Sequence, residues 1–191
     1  MVLGFFVRKS SKTLLILSLI GIGFSFYESI NLWSWKLFAS ASMVTVDPFA
    51  AYLYLIILSI GFLTCLVHSG YLSKQEVEYP EVYPLTLFAM VGMMMMVSTT
   101  HLLLFFIALE VMSLAVYILV GIKRTDLRSN EAAMKYFVMG AIASGMLLYG
   151  MSMIYGATHS LDIAPIAKAL SNISATEKLL LIFGLVFLIA G

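Results

Sequence analysis

Charge is scarce in this sequence. Only 11% of its 191 residues are Asp, Glu, Lys or Arg, against about 25% in an average soluble domain. Hydrophobic residues make up 62%, and the mean hydropathy is +1.03. These values exclude a soluble globular domain. No excess of one sign exists either: 11 Lys and Arg meet 10 Asp and Glu, a net charge of +1. There is no basic field to hold nucleic acid by counterion release, so nucleic acid is not a partner. Cysteine is nearly absent. The single Cys65 lies inside an apolar run and cannot supply an internal disulfide, a Cys-rich zinc site or an iron-sulfur ligand set. Redox cofactors therefore belong on other chains.

What is present is long apolar runs. One bilayer crossing needs about 20 apolar residues, and six runs appear, at about 13–27, 47–72, 84–98, 102–122, 130–155 and 178–191. In a bilayer each must be helical, because every backbone polar group has to be satisfied within its own segment. The expected fold class is an all-α polytopic membrane protein, a single membrane domain over 1–191 with about six transmembrane helices. Asp47-Pro48 opens the second run as an N-cap acid followed by proline at the first helical position. Ser98-Thr99-Thr100-His101 is a polar break between the third and fourth. The fifth is followed by a turn at 156–160 and a short amphipathic stretch opened by Asp162. The sixth has about 13 apolar residues after Lys178, short of a full crossing, so the sequence reads as cut inside that helix. A signal peptide over 1–41, with Ala39-Ser40-Ala41 as its cleavage site, is the competing reading of the start. The segment 27–38, with Glu28, Trp33, Trp35 and Lys36, is too long and bulky for a cleavage region.

Basic residues set the orientation, since cytoplasmic loops retain Lys and Arg. With the first loop inside, Arg8, Lys9, Lys12, Lys74, Lys123, Arg124 and Arg128 are cytoplasmic, against Lys36 and Lys168 outside. Trp33 and Trp35 then fall in the outer aromatic belt. The glycosylation sequon Asn172-Ile173-Ser174 is a pattern frequent by chance and carries no weight.

Nine of the ten acids lie in loops or at helix ends. The tenth, Glu110, sits eight residues after Leu102 and twelve before Ile122, about 12 Å and 18 Å from the two ends. A carboxylate cannot snorkel that far, and an acid at a helix centre costs about 2.5 to 3.5 kcal/mol on insertion scales. It must face protein or water. At helical spacing it shares a face with Ser113 and Tyr117, the stripe of a hydrated or hydrogen-bonded interior. A proton-relay or ion-pathway role competes with a purely structural acid bonding a neighbouring helix. Lys135 is the second intramembrane candidate, about 8 Å below the inner surface. Glu131 precedes it by four residues, the order of an ordinary helix-surface pair, so a relay and a snorkelling anchor both remain open. The two residues are expected to differ in depth by roughly 10 Å and to couple through water or another group rather than by contact.

Other features read as structure. Gly140, Ala141, Ser144 and Gly145 form small-xxx-small pairs that let helices approach closely. Met93 to Met96 point all round a helix and cannot converge on a metal. His68, His101 and His159 lie in separate segments without ligand spacing.

The stretch from Leu109 to Leu119, LEVMSLAVYIL, followed by Ser129 to Phe137, SNEAAMKYF, and Tyr155 to Asp162, YGATHSLD, resembles subunit N of bacterial complex I. That subunit is an antiporter-like member of the membrane arm of NADH:quinone oxidoreductase and the counterpart of mitochondrial NADH dehydrogenase subunit 2. The match is dense over 82–163 and looser over 13–72. The resemblance implies a larger bundle of two inverted five-helix repeats, in which Glu110 pairs with a lysine on the family's seventh helix, expected a few residues beyond Gly191. It implies proton translocation through Glu110 and Lys135, driven by quinone reduction, in the bacterial inner (plasma) membrane. No cofactor is expected on this chain; flavin and iron-sulfur clusters belong to partner subunits, and quinone is the substrate of the complex. The expected partners are the other membrane-arm subunits, especially the antiporter-like sisters, and the lipid bilayer. Alternatives are a subunit of a multisubunit cation/proton antiporter or an energy-converting hydrogenase, or a non-transporting membrane scaffold.

Overall fold

The computed structural model describes residues 11–32, 37–39, 43–74, 79–170 and 174–191. Its elements are α1 (Ser11–Asn31), β1 (Leu37–Ala39), β2 (Val44–Val46), α2 (Pro48–Lys74), α3 (Val82–Val97), α4 (Leu102–Val120), α5 (Leu127–Thr158), α6 (Ile163–Ala169) and α7 (Ala175–Ala190). Arg8, Lys9, Trp33, Trp35, Lys36, Glu76, Glu78, Asn172 and Ile173 lie outside the described residues. Helices α1, α2, α4 and α5 are long and apolar enough to cross a membrane. Helices α3 and α7 have 16 residues each, about 24 Å against a hydrocarbon core of about 30 Å. Helical membrane architecture is thus as the composition requires.

One amendment concerns the all-α expectation: β1 and β2 form an antiparallel hairpin with Phe38 opposite Thr45. The reason is backbone accounting, since chain leaving a helix carries donors and acceptors that need partners. Thr45 N–H donates to the Ser98 carbonyl at 2.7 Å, and the Thr99 hydroxyl donates to the Met43 carbonyl at 2.9 Å. The same polar break is tied to the end of α5, through Leu102 N–H to Leu161 O at 2.9 Å and Ile163 N–H to Thr100 O at 3.1 Å. The break at 98–101 therefore organises one whole end of the bundle.

Element boundaries follow their caps. Helix α5 begins at Leu127, three residues before Asn130, because the Asp126 side chain accepts the Arg128 N–H at 3.0 Å. The loop before it is fastened by Ser129 Oγ donating to the Val120 carbonyl at 2.7 Å and Asn130 Nδ2 donating to the Arg124 carbonyl at 2.9 Å. Helix α5 ends on His159 in the left-handed region, φ 53, a conformation in which histidine is enriched among non-glycine residues. A reciprocal Ser174–Glu177 capping box opens α7, the arrangement that satisfies two orphan donors at once.

Lipid tails are as apolar as leucine, so helices in a bilayer associate through close packing. Ile22, Leu58, Cys65, Tyr83 and Met90 form one buried cluster joining α1, α2 and α3, with Met93 and Met94 packed against it. Helix α1 is thus built into the bundle. A second cluster, Ile154, Ala157 and Leu181, joins α5 to α7. Two backbone crossings are closer still. A Cβ on Gly92 of α3 would lie 2.7 Å from Ala108 O and Met112 N of α4. Gly150 of α5 and Gly184 of α7 face each other, and a Cβ on Gly150 would lie 2.6 Å from Gly184 O.

Candidate functional site: a carboxylate at mid-span

Glu110 lies on α4, eight residues from its start and ten from its end, about 12 Å and 15 Å along the axis. It is partly buried in the seam between α4 and α5, and its Oε1 accepts a hydrogen bond from Ser144 Oγ of α5. The two helices are antiparallel and in continuous register. Tyr117 packs on Gly140 and meets Tyr136 and Phe137 edge-on, with ring centroids at 4.8 Å and 5.7 Å. Gly121 faces Ala133. Ser113 is buried on the same helix. The expected stripe of Glu110, Ser113 and Tyr117 is therefore the contact side of α4.

Lys135 is placed elsewhere. Its Nζ lies 2.5 Å from Glu131 Oε1, and the two side chains are 71% and 64% exposed, so they form a solvent- or lipid-side pair in this chain. It sits nine residues before Ser144, about 14 Å along α5 and about half a turn round it. Because Gly121, just past α4, faces Ala133, the first turns of α5 run on beyond the end of α4 for about 9 Å. Lys135 comes two residues after Ala133, level with the last turn of α4, and takes no part in the Glu110 contact.

Ser144 is the site residue that sequence reasoning missed. It was legible only as one of four small residues, and a packing stripe accounts for small residues without a polar partner. The sixth helical run also arrives here. A Cβ on Gly191, after the last turn of α7, would lie 2.5 Å from Ala143 O and 2.6 Å from Leu147 N. The end of α7 thus packs on α5 at the level of Ser144.

The histidines do not join this site. His68 Nδ1 is 3.1 Å from Thr64 O within α2, His101 caps α4 with its Nδ1 buried and unpartnered among the described residues, and His159 caps α5. Among the described residues no three His, Cys, Asp or Glu side chains gather as a metal site would need.

Apolar helices that hold a carboxylate in mid-span fit the class of antiporter-like membrane subunits. A proton-antiporter family model, described as NADH:quinone oxidoreductase/Mrp antiporter, TM, matches residues 99–191. The NADH-quinone oxidoreductase subunit N of Trichlorobacter lovleyi is 37% identical over 187 residues, 98% of this chain and 38% of that protein. Subunit N of an Azoarcus species is 45% identical over 184 residues, 96% of this chain and 37% of that protein. A chain of respiratory complex I from Thermus thermophilus superposes with a TM-score of 0.78 at 28% identity, covering 100% of this chain and 39% of that one. The chain thus spans under two-fifths of the length of these relatives. It belongs to the subunit N family of NADH-quinone oxidoreductase membrane subunits.

Proposed function

We propose that the chain is part of a proton-translocating membrane subunit of a respiratory NADH:quinone oxidoreductase in the bacterial inner membrane, working beside antiporter-like sister subunits. Flavin and iron-sulfur clusters on partner chains carry the electrons to quinone, and Glu110 is the charge that biases a lysine on the family's seventh helix, the helix to which α7 corresponds. One observation carries the reading: a carboxylate is held at mid-span in the seam between α4 and α5, bonded to Ser144. A structural acid needs one hydrogen bond. The last turn of α7 packs on α5 at the level of Ser144, and the lysine that the family carries on that helix is the partner we assign to Glu110. A second reading, a cation/proton antiporter subunit, is favoured by the family model, whose description names both groups. The two differ in what drives them, NADH oxidation or a cation gradient applied to the vesicles.

Orientation is tested first. Single cysteines at positions 126 and 168 of the full-length subunit should be labelled by an impermeant maleimide from opposite sides, with 168 reactive in spheroplasts and 126 protected. Labelling at 126 and protection at 168 reverses the topology.

Lys135 is tested by NADH-driven acidification of inverted vesicles carrying the full-length subunit in its complex. Lys135→Ala should reduce acidification more than Lys135→Arg if the residue exchanges protons, since arginine keeps the charge but stays protonated throughout. Wild-type acidification in both variants makes Lys135 an interfacial anchor paired with Glu131, a pair worth about 0.2 to 0.5 kcal/mol.

A further inference from the structure

Hydroxyls inside apolar helices usually return to their own backbone, bonding the carbonyl four residues before. Ser29, Ser59, Thr64 and Thr86 all do so, at 2.7 to 2.8 Å. Ser144 does not. Its hydroxyl leaves α5 and donates to Glu110 on α4. Its neighbour Ala143, and Leu147 one turn on, touch the end of α7, so the hydroxyl lies on α5 beside that contact and faces α4.

Resting on the function proposed above, we infer that Ser144 is a positioning residue for Glu110. Its O–H holds Oε1 turned onto α5, so that the second carboxylate oxygen is left to act on a cation. A carboxylate has about four acceptor sites, and one fixed donor selects the rotamer without consuming its capacity. Hydrogen bonds to ionised groups are the stronger ones, and a single donor of this kind suffices to choose among side-chain rotamers. Packing makes no such demand: Gly140, one turn before, seats Tyr117 with no polar side chain at all.

The test uses Ser144→Ala and Ser144→Thr in the full-length subunit within its complex, with native gels for assembly and acidification read per NADH oxidised. Alanine removes the donor and adds no bulk, and threonine keeps the donor. The expected result is an assembled Ser144→Ala complex that oxidises NADH but acidifies about tenfold less per NADH or worse, the scale of one lost charged-group hydrogen bond, with Ser144→Thr restoring most of the ratio. A wild-type ratio in Ser144→Ala overturns the assignment and returns Ser144 to packing. Loss of assembly in Ser144→Ala also overturns it, because the hydroxyl is then a structural link. So does a Ser144→Thr complex as impaired as Ser144→Ala. Glu110→Gln separates the two levels. If it abolishes acidification while Ser144→Ala does not, only the positioning role fails; if Glu110→Gln acidifies normally, the underlying function fails.

Discussion

Gly150→Ala should destabilise the subunit by about 1 to 3 kcal/mol, and Gly150→Leu should prevent α7 from seating on α5. The first figure is that of overpacking a close-packed site. Here the atoms in the way are Gly184 O at 2.6 Å and Leu188 N at 2.7 Å from the added Cβ. Both are backbone, so no side chain can rotate aside and the helices must separate. Gly145→Ala is the control on the same helix. Nothing lies within 4 Å of its Cβ position, so the usual gain of about 0.5 to 1 kcal/mol for replacing glycine in a helix should appear instead. Thermal unfolding of the purified complex in detergent, with native gels, reads both. Equal effects at the two positions would mean that α5 and α7 do not cross at Gly150.

That contrast also shows what was legible. Apolar runs locate six of the seven described helices, all but the short α6, because a long apolar run has few other fates, and a lone acid in the middle of one run identifies Glu110. Sequence alone did not divide the small residues by task. Gly140 seats Tyr117, Ser144 binds Glu110, Gly145 faces open space, and a close backbone crossing lies further on, at Gly150 and Gly184. A small residue is a permission for contact, and which contact occurs depends on the axial offset of the two helices. Here α5 overshoots α4, so Glu110 meets Ser144 rather than residues nearer the loop. The hairpin was hidden for a related reason: β1 and β2 have three residues each, too few to show alternation, and their partners at 98–99 are remote in sequence. Lys135 stood out as an intramembrane charge, and its pairing with Glu131 is the spacing of four already visible in the sequence.

The claim at the centre is that Glu110 acts through its charge. Ser144 already gives Oε1 its hydrogen bond, and Gln at position 110 keeps a carbonyl oxygen there with nearly the same shape. Glu110→Gln therefore preserves the observed contact and deletes only the capacity to ionise. Aspartate keeps the charge but shortens the reach, so Glu110→Asp should fall between. An opposite charge within about 4 to 6 Å shifts a lysine's proton equilibrium by 1 to 3 pKa units, each worth about 1.36 kcal/mol between protonation states. Removing the charge changes proton occupancy at the partner by about tenfold or more. The deciding measurement is acidification of inverted vesicles driven by NADH, in Glu110→Gln complexes shown to be assembled on native gels. Severe loss of acidification in the assembled complex is the predicted result. Full acidification in that complex contradicts it and leaves Glu110 as an acid that only holds α4 against α5.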